Sequence, residues 1–248
     1  MQQHKFIVIV PVYNAVNYIE GCLNSILSQD YQNYELCVMD DCSTDGTWQK
    51  IGEVCNRDWS RFNMCRNEYR VDCALANFVK AIELFSFDRE DVLCLVDGDD
   101  KLADNRVLSY LNEVYSNPDI WLTYGQYVPA SGAYPPYCKP IPDIRTYRRS
   151  RNWLTSHFRT IKRKLWDKID DKDMRGSDGK YYTCVADAAY LYPAIEMCGN
   201  KHLKFIERIL YIYNDLNPSN EMKINSELSI RLSREIQDKP IYSELSEL

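Results

Sequence analysis

No apolar run in this sequence approaches the ~20 residues that a membrane-spanning helix needs. The longest near the start, Phe6–Val12, has the length of a buried strand. No basic segment followed by an apolar stretch and a cleavage site is present, so a secretory signal is not expected and a cytoplasmic location is. A basic surplus is missing as well. Lys and Arg number 30 against 36 Asp and Glu, a net charge of −6, which argues against a dedicated nucleic-acid binder. No two of the ten cysteines stand at CxxC spacing, which excludes a zinc ribbon or a thioredoxin-type motif. Cys37 and Cys94 lie inside apolar runs and read as small hydrophobes, and the set as a whole reads as reduced thiols. Internal repeats and low-complexity tracts are also lacking. What is present is a chain of 248 residues, 45% apolar, enough to bury the core of one ordinary domain.

The first ~125 residues alternate two periodicities. Strand-like segments are Phe6–Val12, Tyr34–Met39, Val92–Val96 and Ile120–Tyr124; helix-like ones are Val16–Leu27, Thr47–Val54, Val71–Phe85 and Val107–Tyr115. Uninterrupted apolar strands joined by helices predict a mostly parallel sheet covered on both faces. The rest is less regular. Residues 128–145 are proline-dense and read as a long loop or lid. Arg145–Lys168 is basic, with Trp153, Phe158 and Trp166 interleaved, and reads as solvated surface over two core tryptophans or as an acceptor site. Val185–Met197 reads as a helix, Phe205–Tyr213 as a strand, Asn217-Pro218-Ser219-Asn220 as a turn and Ile224–Ile236 as an amphipathic helix.

Ligands in parallel sheets bind at the carboxyl ends of the strands. Three strands here end in polar, mostly acidic residues: Tyr13-Asn14, Asp40-Asp41, and Asp97-Gly98-Asp99-Asp100. One such end is an ordinary turn, since turns favour Asp and Asn; three converging are a site. Carboxylates crowded together repel, and hard oxygen donors suit Mg²⁺ or Mn²⁺ bridging to a diphosphate. Asp41 could accept the N3–H of uracil, and thymine alike, whereas cytosine offers an acceptor there. The neighbouring Ser43, Thr44 and Asp45 read as caps of the following helix.

The segments Val10-Pro11-Val12-Tyr13-Asn14, Leu23 to Gln29, Asp40 to Thr47, and Leu95-Val96-Asp97-Gly98-Asp99-Asp100 together resemble family 2 glycosyltransferases with the GT-A fold. In the second half, Ser156 to Thr160, Ala186 to Pro193, and Ile209 to Asn214 with Asn217-Pro218 are similar to a bacterial branch of that family. Many members carry Glu or Gly where this chain has Ala186, but Asp187 is kept. The resemblance implies an α/β fold of GT-A, Rossmann-like type with an acceptor-side α+β extension. Residues 1–125 would form the nucleotide-sugar-binding half of the domain, and 126–248 the acceptor and catalytic-base half. Pro11, Val12 and Tyr13 would line the uracil pocket, Asp41 would take N3–H, and Asn77 would lie near the nucleotide. Asp97 would sit near the ribose or metal-bound waters. Asp99 would bind Mn²⁺ or Mg²⁺ through the DXD-type motif, with Asp100 in support. Asp187 would be the general base; as a bare sequence feature it also reads as a helix N-cap. His157 or Arg159 would lie near the diphosphate or an acceptor hydroxyl.

The expected activity is therefore metal-dependent, inverting transfer from a UDP-sugar to a hydroxyl of a glycan or glycoconjugate, with membrane contact only if the acceptor is lipid-linked. A sugar-nucleotide pyrophosphorylase would show a Gly-rich, Arg-containing loop after the first strand, and a Mg²⁺-dependent aspartyl phosphatase a nucleophilic Asp on it. The sequence has neither. A binding module that keeps the nucleotide site without turnover remains the alternative.

Overall fold

Strand β1 (Phe6–Val12) is buried along its whole length, which explains its lack of polar alternation. It pairs in parallel with β2 (Tyr34–Asp40) on one side and β4 (Val92–Leu95) on the other, and β3 (Phe62–Arg66) extends the parallel set beside β2. Successive β1 side chains face opposite layers, as strand geometry requires. Val8 and Val10 meet Ile19, Leu23 and Ile26 of α1 (Ile19–Leu27) and Leu108 and Leu111 of α4 (Val107–Tyr115). Ile7 and Ile9 meet Phe78 and Ile82 of α3 (Ala74–Leu84). Helix α2 (Thr47–Cys55) joins the first layer through Ile51 and Val54. The computed structural model from which these contacts are read describes residues 3–55, 61–218 and 226–248.

Beyond β4 the sheet continues with mixed polarity. β7 (Thr160–Lys162) runs antiparallel between β4 and β6 (Leu122–Pro129); β6 pairs in parallel with β8 (Leu203–Tyr213), and β5 (Lys101–Leu102) closes antiparallel on β8. Among the described residues the order is β3-β2-β1-β4-β7-β6-β8-β5. One continuous sheet thus joins the two halves of the chain, and residue 125 lies inside β6. Two short helices, α5 (Ile144–Tyr147) and α6 (Arg163–Trp166), flank the second half.

Several expected boundaries move. The helix expected from Val71 begins at Ala74, after a Cys73 cap, which frees residues 67–72 as a loop. The strand expected at Ile120–Tyr124 runs from Leu122 to Pro129. Strands β3, β5 and β7 were not anticipated: β3 is half polar, and the others are two and three residues long. Helix α7 (Ala186–His202) is buried nearly all round and breaks at Gly199, where φ is +54°. Helix α8 (Ser226–Asp238) covers it. Ser219-Asn220 of the expected turn, and Ile224 at the expected helix start, lie outside the described residues. All ten cysteines are free, and no described helix is long and apolar enough to cross a membrane.

Candidate active site

The site begins where β1, β2 and β4 end on one edge. The loops after β1 and β2 are tied together. Asn14 N–H donates to Ser43 Oγ (2.9 Å), Thr44 N–H to Asn14 Oδ1 (2.8 Å), and Ala15 N–H to Thr47 Oγ1 (2.8 Å). Of the three expected caps of α2, Asp45 meets the helix, accepting the Thr47 N–H at 3.0 Å, whereas Ser43 and Thr44 bind Asn14 instead. Asp40 and Asp41, adjacent at the strand end, do different things. Asp40 is fully buried and faces Arg66 Nε at 3.2 Å. Asp41 accepts three hydrogen bonds: Asn67 Nδ2 (2.7 Å) and Val71 N–H (2.9 Å) on Oδ1, and Asp72 N–H (2.8 Å) on Oδ2. Asn77 sits behind this group, its Oδ1 accepting from Asn67 Nδ2 at 2.7 Å. Arg70, at the tip of the same loop, lies 3.8 Å above the Tyr13 ring and pairs with Asp72.

The acidic loop after β4 rests against β1. Gly98 N–H donates to Pro11 O (3.2 Å), and a Cβ at Gly98 would meet the Val12 side chain at 2.7 Å, so the close approach requires glycine. Asp97 and Asp99 face the cleft. Asp99 Oδ2 accepts from Asn217 Nδ2 at 2.7 Å. Asp100 turns under the floor, 1% exposed, and Oδ1 accepts the Asn214 N–H at 2.6 Å. Its Oδ2 is buried and makes no hydrogen bond to a described residue, with the Tyr211 hydroxyl close by. Burial, with the charges of Asp97 and Asp99, pushes the Asp100 carboxyl well up. Burial raises Asp99 too, with Asp97 adding to it. Asp97 goes the other way: burial opposes its charge, but the His157 contact and Arg159 hold it below the usual range.

Across the cleft, the segment entering β7 supplies His157 and Arg159. The His157 ring stacks on Tyr211 and Tyr213, with centroids at 4.8 and 5.2 Å, and Nε2 lies 3.4 Å from Asp97 Oδ2. Burial and the Arg159 charge lower its pKa. Arg159 Nη1 meets Asp187 Oδ2 at 2.5 Å. Asp187 stands in the first turn of α7, and its Oδ1 accepts the Ala188 N–H at 2.9 Å.

Asp97, Asp99, His157, Arg159 and Asp187 line one cleft of about 1560 Å³, together with Pro11, Val12, Tyr13, Asp41, Arg70, Asp72 and Asn77, whereas Asp40, Asn67 and Asp100 lie outside its lining. The donor set Asp97, Asp100 and His157 lies within 4.8 Å of one another. Two carboxylates and an imidazole, one buried oxygen being without a partner, fit a divalent cation. Trp153 is a cleft-wall residue packed edge-on against Tyr192 (5.5 Å), not the core residue considered above, whereas Trp166 is buried. Sequence reasoning missed Asn67, Arg70, Asp72, Tyr190 and Asn217, which belong to loops or to an apolar helix. For Asn67 and Asp72 a signal existed, since polar residues crowd just ahead of α3.

The family model for Glycosyl transferase family 2 matches residues 7–179. The chain is similar to the Streptococcus pneumoniae glycosyltransferase GlyG, 31% identical over 43% of this chain and 34% of that protein. It is also similar to the Escherichia coli UDP-Glc:alpha-D-GlcNAc-diphosphoundecaprenol beta-1,3-glucosyltransferase WfgD, 30% identical over 51% of this chain and 47% of that protein. The chain thus spans less than half the length of these curated relatives. In fold it is similar to Staphylococcus aureus TarS 1–349 in complex with UDP-GlcNAc, with a TM-score of 0.69 at 20% identity over 96% of this chain and 68% of that one. The mannosyltransferase PcManGT of Pyrobaculum calidifontis, in complex with GDP-Man and Mn²⁺, gives 0.64 at 19% over 97% and 66%. These two likenesses give the GT-A architecture, and the match over residues 7–179, well over half of the sequence, gives the family: this chain belongs to glycosyltransferase family 2.

Proposed function

We propose that the chain is a metal-dependent, inverting glycosyltransferase that moves a sugar from a UDP-sugar to an acceptor hydroxyl in glycan or glycoconjugate synthesis. The observation that carries this is the facing pair of walls. The ends of β1, β2 and β4 present a nucleotide-sized acidic edge, and α7 presents Asp187 opposite it in the same cleft. A UDP donor is favoured by Asp41 at the base pocket and by relatives that use or hold UDP-sugars. Residues 1–125 bind the donor and 126–248 supply the acceptor side of one shared domain.

Pro11, Val12 and Tyr13 line the base pocket, and Asp41 takes N3–H through its remaining lone pair, while Asn77 holds Asn67 in place. Asp97, Asp100 and His157 would hold Mn²⁺ or Mg²⁺, with Asp99 beside them on the same loop as a further ligand. When bound, the cation offsets the charge that develops on the departing diphosphate. Asp187 accepts the proton of the acceptor hydroxyl as its oxygen forms the bond to C1. The C1–O bond to the diphosphate breaks on the opposite face and its electron pair leaves with UDP. One displacement inverts the anomeric centre, so no enzyme nucleophile is required. His157 and Arg159 form the wall between diphosphate and acceptor.

The test is UDP release from UDP-glucose, UDP-galactose and UDP-N-acetylglucosamine with and without Mn²⁺, beside thermal shifts with the same ligands, since a ligand that binds only the folded state raises its melting temperature. Mn²⁺-dependent release from at least one donor is expected. Stabilisation without release would identify a binding module, and neither response would reject the donor site.

A further inference from the structure

Arg159 is the most deeply enclosed cation of the cleft. Its side chain is 5% exposed, whereas the carboxylate it meets, that of Asp187, is 27% exposed. Both Asp187 oxygens are held: Oδ2 by Arg159 Nη1 and Oδ1 by the Ala188 N–H of its own helix turn. Each oxygen keeps a lone pair, so the carboxylate is clamped in direction yet open to the cleft. Two further observations point to a working site rather than a plain tie. The Tyr190 hydroxyl, on the next turn of α7 and within the fields of Arg159 and Asp187, is buried without a hydrogen-bond partner among the described residues. Val185, immediately before α7, has φ +50°, a left-handed conformation that a β-branched residue adopts only under constraint. The chain therefore enters α7 at a strained angle just where Asp187 must leave it. Asp97 acts on Arg159 as well, so one cation feels both the donor-side acid and the acceptor-side acid.

We infer that Arg159 is a positioning residue for the proton-accepting carboxylate: it fixes the direction of the Asp187 carboxylate, with one edge toward the acceptor hydroxyl. The inference rests on the reading of Asp187 as the general base. The titratable and charged groups around Asp187 are His157 and Arg159 from the segment before β7. The hydroxyls of Tyr190 and Tyr192 approach from α7, and that of Tyr137 from the proline-dense loop. Arg159 is the one in direct ion-pair contact.

The experiment compares Arg159→Gln, Arg159→Lys, Asp187→Asn and the double variant Arg159→Gln/Asp187→Asn. Single-turnover UDP release with Mn²⁺ is measured with whichever of the three donors above the unsubstituted chain uses fastest, beside UDP affinity. Arg159→Gln should slow release by ~10²-fold, the range of a disabled general base, with UDP affinity within about threefold. Arg159→Lys should return the rate in part, since a point charge replaces a planar fork. The double variant should be no slower than Asp187→Asn, because the two residues act as a unit.

A rate loss matched by lost UDP affinity, or no rescue by Arg159→Lys, would overturn the inference. Arg159→Gln within a few-fold of the unsubstituted rate, beside an inactive Asp187→Asn, would overturn it too while leaving the base in place. An active Asp187→Asn would instead overturn the base reading, and absence of release from every donor would overturn both. If Arg159→Gln and the double variant both fail to fold, the pair is structural and the inference falls.

Discussion

At the scale of single residues, Asp41 shows how a functional position also becomes a structural one. Its carboxylate accepts from Asn67, Val71 and Asp72, which lie 26, 30 and 31 residues further on. The strand-end acid is legible in the sequence, but nothing in the pattern announces that the loop before α3 folds back onto it. Asp41→Ala is therefore expected to do two things. The preference for UDP over CDP should vanish, and the Val71 and Asp72 amides should lose protection in hydrogen exchange, since both lose their acceptor. Equal affinity of the unsubstituted chain for UDP and CDP would contradict the base-pocket assignment. Asp99 and Asp100 yield a pH dependence. Burial, with the neighbouring Asp97, holds both carboxyls above their ordinary range, so the folded chain binds these protons more tightly than the unfolded one. That contribution is complete below about pH 4 and is lost as pH rises through the raised folded values. A divalent cation competes with those protons. The rise in melting temperature produced by Mn²⁺ should therefore be larger at pH 7.5 than at pH 5, and much reduced in Asp99→Asn. A pH-independent shift would argue against these ligands.

At the scale of elements, legibility followed burial and length. β1, β2 and β4 are apolar runs at the sheet centre, and α1, α3 and α4 each bury one regular stripe. β3 is exposed at its far end, and β5 and β7 are held by their neighbours more than by their own composition. The acidic loop was legible as a motif, yet its exact seat depends on one atom that is not there. At Gly98 a methyl group would sit 2.7 Å from Val12 Cβ and Cγ2 and 3.2 Å from the Pro11 carbonyl, which are strand atoms that cannot turn aside. Gly98→Ala should therefore lift the loop from β1, destabilise the chain by about 1–3 kcal/mol as overpacking does, and weaken UDP binding with Mn²⁺. Calorimetry beside UDP titration checks this; a variant of unchanged stability and affinity would mean that the loop is not seated on β1.

At the scale of the whole molecule, two ion pairs involving arginine and α7 can be set side by side. Arg148 and Glu196 are 1% and 4% exposed and bind through two hydrogen bonds, at 2.7 and 2.5 Å. The pair is extended by the chain's last segment, as Arg148 Nη1 donates to Pro240 O (3.1 Å) and Tyr242 N–H donates to Glu196 (3.0 Å). Leu245 N–H then reaches Met197 O at 2.9 Å. Neither member lines the cleft, and both charges are closed off from ligands. At the other end of the helix, Asp187 turns part of its carboxylate to the cleft. The two pairs should therefore separate stability from activity. Arg148→Met leaves Glu196 charged and buried, and should cost about 3–5 kcal/mol in urea unfolding. Arg148→Met/Glu196→Leu should recover most of that, because no buried charge is left alone, and both variants should keep UDP affinity and the pH–rate profile while they remain folded. A loss of turnover in the folded double variant would show that α7 transmits strain from its back to Asp187.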